Sequence, residues 1–178
     1  MFLSAKITIH WGALFLIVLA YISYLFISSQ FVLSKYRKCV RAFESGDFDY
    51  VLLHKKLLFH FRKSPIPTGS LHYMLAVAYF DHNNDLSFLE HINLVTIEEL
   101  QWGKHYWLAL YAVVQGDFMQ YDALQKELLV DSMDLSQKQA YEVLSLAYRH
   151  KKEGYLLSDE EREKVANCNY DRIKQIFA

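Results

Sequence analysis

From Ile7 to Leu33 the chain runs for 27 residues, "ITIHWGALFLIVLAYISYLFISSQFVL", without a Lys, Arg, Asp or Glu. The next eight residues, "SKYRKCVR", carry four cations. At a rise of about 1.5 Å per residue, a helix of this length reaches roughly 40 Å, more than the roughly 30 Å hydrocarbon core of a bilayer. Residues 1–33 are therefore expected to form a single transmembrane anchor, and residues 34–178 a separate domain. The apolar run exceeds the roughly 7 to 15 residues of a signal-peptide core, and "SYLFISSQF" is a weak cleavage pattern. A retained span is expected in preference to removal after Ser28 or Ser29.

Orientation follows from the flanks. Lys6 precedes the span, whereas Lys35, Arg37, Lys38 and Arg41 crowd its far end, and the more basic flank stays in the cytoplasm. The expected topology is single-pass in a cell membrane, with the N-terminus outside and the domain cytoplasmic. A bacterial membrane suits so small and sparsely punctuated a chain. Trp11 and Tyr24 fit interfacial or lipid-facing positions, and His10 and Gln30 lie near enough to the ends to reach headgroups. Lys35, Arg37, Lys38 and Arg41 are the candidate membrane-surface residues. Cys39 sits where a juxtamembrane lipid is attached in other proteins, but a buried small apolar residue is the simpler reading. Cys39 and Cys168 fit no ligand or disulfide pattern, which points to a reducing compartment.

The remainder is of single-domain size. Hydrophobic residues at 53% and aromatics at 16% exclude a disordered chain, and two Pro and six Gly leave few helix breakers. An all-α fold is expected. Four stretches read as loops between antiparallel helices: "FESGDFDY", "FDHNNDLSF", "VVQGDFMQY" and "RHKKEGYLL". Marked by Asp47, Asp85, Asp117 and Glu153, they are separated by 38, 32 and 36 residues, the period of stacked helical hairpins. Helices are expected at 34–45, 48–63, 70–81, 86–95, 97–115, 118–130, 137–151, 158–166 and 169–177. Capping boxes are read at Thr96 with Glu99, Ser136 with Gln139 and Ser158 with Glu161. "SPIPTGS" at 64–70 reads as a break ending the first hairpin.

Leu75-Ala76-x-x-Tyr79 and Leu144-Ser145-x-x-Tyr148 resemble the first helix of a tetratricopeptide repeat, and Gly46-Asp47-Phe48 and Gly116-Asp117-Phe118 resemble its turn. Leu108-Ala109 precedes the second of these turns, and Tyr141 precedes Leu144 by three residues, where the family often carries an aromatic. The resemblance covers about residues 34–175. It implies an α-solenoid of about four hairpins and a surface for proteins or peptides. Tyr73, Tyr106, Tyr141 and Tyr148 are the candidate residues for binding such a partner.

Residues 34–63 hold eight basic and three acidic residues, a net of +5, and residues 64–178 hold ten basic and seventeen acidic, a net of −7. The basic part suits an anionic inner leaflet. The acidic remainder repels phosphate, so nucleic acid is not an expected partner. "DHNNDLSFLEHI" opens like a calcium loop but has Leu86 at the place of the turn glycine and Ile92 at the place of the bidentate Glu. Eight histidines show no metal-binding spacing, and there is no phosphate loop or nucleophile elbow. No metal, cofactor or enzymatic activity is expected. The reading favoured is a membrane-anchored adaptor for a protein or peptide. The alternatives are a small integral subunit of a transport, secretion or envelope-assembly complex, and a peptide-responsive regulator or immunity protein.

Overall fold

The computed structural model describes residues 11–128 and 133–178, and the side chains from residue 14 onward within them; Lys6, His10 and the Trp11 side chain lie outside the described residues. Every regular element among the described residues is helical: α1 (Trp11–Glu44), α2 (Phe48–Leu53), α3 (Leu57–Phe61), α4 (Pro65–Asp81), α5 (Asp85–Asn93), α6 (Gln101–Gln115), α7 (Phe118–Leu128), α8 (Leu135–Glu153), α9 (Asp159–Ala166) and α10 (Asp171–Ile176). A 3-10 turn at Glu98–Leu100 leads into α6. The chain divides into two units, one ending at Lys38 and the other Cys39–Ala178.

In the first unit, α1 is long and apolar enough to cross a membrane: an 18-residue window within Leu14–Glu44 has a mean hydropathy of 2.0. Phe15, Leu16, Ile17, Tyr24 and Ile27 are each 65–67% exposed. Ser29 returns its hydroxyl hydrogen to Phe26 O at 2.7 Å, which satisfies it within the helix. The expected new helix at 34 does not start. No Gly or Pro occurs between Gly12 and Gly46, so nothing interrupts the hydrogen-bond ladder and α1 continues to Glu44.

The second unit is built on a recurring turn. Gly46, Asn83, Gly116 and Gly154 have φ values of 79°, 56°, 74° and 67°, the left-handed conformation that ends helices. At the first three, the left-handed residue bonds back to the carbonyl three before it and its successor to the carbonyl five before: Gly46 to Phe43 and Asp47 to Ala42, Asn83 to Phe80 and Asn84 to Tyr79, Gly116 to Val113 and Asp117 to Ala112. That successor then caps the next helix. The side chains of Asp47, Asn84 and Asp117 accept from the backbone N–H of Tyr50, Ser87 and Gln120 at 3.1, 3.2 and 3.0 Å. At Gly154 the motif relaxes to a single bond from Gly154 to His150 beside a longer one from Tyr155 to Arg149, and α9 begins only at Asp159.

Packing follows the turns. The hairpins α4–α5 and α6–α7 are the tightest, α2 and α3 lie on α4, α8 lies on α6, and α10 returns to α4. Leu75, Ala76, Val77, Ala78 and Phe80 of α4 and Ala109, Leu110, Ala112 and Val113 of α6 are fully buried.

Several local expectations are corrected. The helix expected at 48–63 breaks into α2 and α3 around His54–Lys56. The prolines of "SPIPTGS" start α4 instead of separating hairpins: Ser64 is extended and Pro65 occupies the first helical position, where a missing N–H costs nothing. The Ser158–Glu161 box forms. The box before α8 is Asp134 with Gln137, and Ser136 donates its hydroxyl to Asp134 at 2.7 Å. No side-chain cap forms near Thr96, since the 3-10 turn there follows an extended Ile97.

Substituting Gly116 by Ala, which keeps the turn but forces a Cβ into positive φ, is expected to destabilise the protein by about 1 kcal/mol. Asn83→Gly, at the matching position of the preceding turn, is expected to be neutral or slightly stabilising. Urea-unfolding midpoints of the two variants check the contrast.

Candidate functional site

The four tyrosines separate into two pairs. On α4, Tyr73 is partly exposed and its hydroxyl accepts from Trp107 Nε1 of α6 at 3.0 Å. Gly103 makes this possible, because a Cβ there would lie 2.6 Å from the Tyr73 hydroxyl. Tyr106, beside Trp107, is 6% exposed. Burial pushes its phenol far above the ordinary tyrosine range, and does the same for Tyr170.

What encloses this pair is the chain's own C-terminal segment. The Tyr170 ring stacks on Phe48 at 5.5 Å and meets Trp107 edge-on at 4.8 Å. Asn169 packs on Gly46, 3.5 Å from where a Cβ would stand. Arg172 is buried, its guanidinium donating to Phe80 O at 3.0 Å and lying 4.4 Å over the Phe80 ring. Its backbone N–H bonds Asp81 Oδ1 at 3.1 Å. Arg172 Nη1 is 2.6 Å from Asp85 Oδ1, an oxygen without a well-aligned hydrogen bond, so charge rather than directed bonding joins the two.

The second pair lies on α8 and stays partly exposed. Tyr141 accepts from Gln125 Nε2 at 2.6 Å. Tyr148 stacks on the buried Tyr121 at 4.2 Å, with Phe118 edge-on and the Lys152 ammonium 4.7 Å over its ring. Tyr141 borders a depression of about 290 Å³ that also takes in Glu142, Ser145, Arg149, Glu161 and Lys164. Leu146 also lines it, so the surface combines charges of both signs with an apolar and aromatic floor.

Among the membrane-surface candidates, Arg37, Lys38 and Arg41 are exposed, and the Lys35 ammonium lies 4.6 Å over Phe31. Cys39 is 1% exposed, the buried small apolar residue of the simpler reading.

A histidine pair joins α4 to α5 that no spacing along the chain announces. His72 of α4 and His91 of α5 meet through their Nδ1 atoms at 2.8 Å, and Tyr79 stacks on His91. They lie 19 positions apart, so only the hairpin brings them together. One Nδ1–H donates and the other accepts, so the contact holds one proton. No group of three or more potential metal ligands occurs among the described residues.

Both histidines titrate below the ordinary range. Burial is the main cause for each; repulsion from the like charge of His91 adds to it for His72 and from that of Lys55 for His91, while Glu90 pulls the other way. A folded pKa below the unfolded 6.5 means the unfolded chain takes up protons first, so this pair costs stability as pH falls through that value. His82 opposes the trend, since its contact with Asp49 at 3.0 Å raises it; its contribution is present at low pH and lost as pH rises, and exposure keeps it small.

Compared with protein-family models, curated proteins and solved structures, the chain finds no match.

Two outcomes are expected. The thermal midpoint falls between about pH 7 and about pH 5.5, and replacing both His72 and His91 by Gln flattens that slope. Arg172→Gln, which leaves Asp85 without its cation, destabilises by about 2 kcal/mol in chemical denaturation.

Proposed function

We propose that the protein is a membrane-tethered helical adaptor, in which α1 spans a cell membrane and the unit Cys39–Ala178 presents a tetratricopeptide-like stack of hairpins to a protein segment in the cytoplasm. The observation that carries the reading is α1: its apolar side chains face outward, with none of the hydrophobic window buried, whereas the second unit packs its own core. Outward apolar residues at this density need hydrocarbon around them. The basic flank Lys35, Arg37, Lys38 and Arg41 supports cytoplasmic placement of the domain. The repeated left-handed turn supports the hairpin stack, and the half-open face of Tyr141 and Tyr148 supports the α8 side as the place of contact. Tyr106, already enclosed, contributes structure, and Tyr73, though partly exposed, is engaged by the Trp107 N–H.

Alkaline carbonate is expected to leave the full chain in the membrane pellet; release into the supernatant would falsify the tether. Partner capture by cross-linking in native membranes is expected to survive exchange of residues 14–33 for an unrelated leucine-rich span. It is expected to fall at least about fivefold in Tyr141→Ala. Loss of every partner on exchange of the span would instead make the protein an integral subunit recognised through its helix.

A further inference from the structure

Between Val51 and Thr68 the chain carries Lys55, Lys56, Arg62 and Lys63 and no acidic residue. All four cations are exposed, and none pairs with an acid among the described residues. Three large apolar side chains stand out among them: Leu53, Phe59 and Ile66 are 76%, 67% and 68% exposed. The surface is held in place from behind, because Leu57 is 4% exposed and both α2 and α3 pack on α4. Arg62 lies 4.8 Å over the Phe59 ring, which places a cation and an aromatic at the same point. The Gly46 turn ends α1 and Asp47 caps α2 directly after it, so this surface follows within a short stretch of chain from Cys39, where the unit begins.

We propose that this corner, formed by α2, α3 and the start of α4, docks onto an anionic bilayer surface, seating Leu53, Phe59 and Ile66 among the headgroups while the four cations engage lipid phosphate. The proposal rests on the membrane-tether reading. Its chemistry is that of an interfacial amphipathic surface: apolar and aromatic side chains enter the headgroup boundary, and lysine and arginine draw it toward negative charge. A protein partner fits less well. The centres of protein interfaces are depleted of lysine, whereas here each apolar side chain is separated from the next by cations.

The test uses the full chain in liposomes of neutral phosphatidylcholine or of phosphatidylcholine with phosphatidylglycerol, carrying shallow nitroxide-labelled lipid. An environment-sensitive fluorophore is placed by Phe59→Cys or, separately, Ile66→Cys in a Cys168→Ser background, with Leu86→Cys and Met119→Cys, at still more exposed apolar positions, as controls. Quenching is expected at 59 and 66 in the anionic liposomes and at neither control. Adding Lys55→Gln and Lys56→Gln is expected to lower the docked-to-undocked ratio about fivefold per cation removed. Quenching no greater at 59 and 66 than at the controls overturns the proposal, as does equal quenching in neutral lipid. So does protection of 59 and 66 without quenching, which would assign the corner to a protein contact. Circular dichroism confirms that each labelled variant is folded, and agreement of two independent sites guards against one that is not. Carbonate extraction of the same liposomes reads the span separately: a retained but unquenched chain sinks this inference alone, and a released chain sinks the tether.

Discussion

The indole of Trp107 is the junction of the helical unit. The hairpins α4–α5 and α6–α7 are each tightly packed within themselves, but contact between them is carried by rings: Trp107 on Phe80 at 5.3 Å, Phe88 on Tyr111 at 5.2 Å, and the Tyr73 hydroxyl on the Trp107 N–H. A buried indole N–H without an acceptor would cost on the order of 1–3 kcal/mol. Tyr73 removes that cost, and it reaches Trp107 only because residue 103 is glycine. The hydrogen bond and the missing side chain at residue 103 thus act together with the ring contacts, and with Gln115 donating to Asp85 at 2.7 Å, where the two hairpins meet.

The same indole determines what happens to the face on which it sits. Large rings hold helix axes apart, and the space they leave must be filled. Tyr170 fills it, and Arg172 anchors the segment at its far side through Phe80, Asp81 and Asp85. The face of α4 and α6 that a solenoid would offer to a peptide is here covered by the chain itself. On α8, by contrast, Tyr148 rests on Tyr121 and the depression beside Tyr141 stays open, which is why the proposed adaptor reading places its contact there.

How much of this was legible depended on distance along the chain. The turns at Gly46, Gly116 and Gly154 and the cap at Ser158 were read correctly because each is decided by residues within five positions. Local reading failed where two local solutions compete: Asp134 outbids Ser136 for the start of α8, since a carboxylate is the stronger acceptor for first-turn amides. Pro65 and Pro67 signalled a boundary, yet the same residue type that stops one helix is well suited to begin the next. For the site the limit was sharper. Arg172 meets Phe80 across 92 positions and His72 meets His91 across 19, and no periodicity or motif encodes such meetings. Tyr73 and Tyr106 are candidates for partner binding on sequence alone, but the burial of Tyr106 and the engagement of Tyr73 with Trp107 depend on packing with Tyr170, which reads only as part of a short helix at 169–177.

Charge along the chain adds a constraint that neither fold nor motif supplies. Residues 34–63 carry a net +5 and residues 64–178 a net −7, so the protein is close to neutral overall but strongly polarised. Facing an anionic surface, the first part is attracted and the second repelled, and both effects favour one orientation. The screening length of about 8 Å at physiological salt confines this torque to residues close to the lipid, which is where exposed cations on a tethered chain act most strongly. Under the proposed docking, apolar side chains at the same corner would convert an orienting field into a seated contact, because burial adds at short range what Coulomb attraction selects at longer range. In the proposed arrangement a tether by itself would fix distance from the membrane, and orientation would need this second, surface-borne interaction.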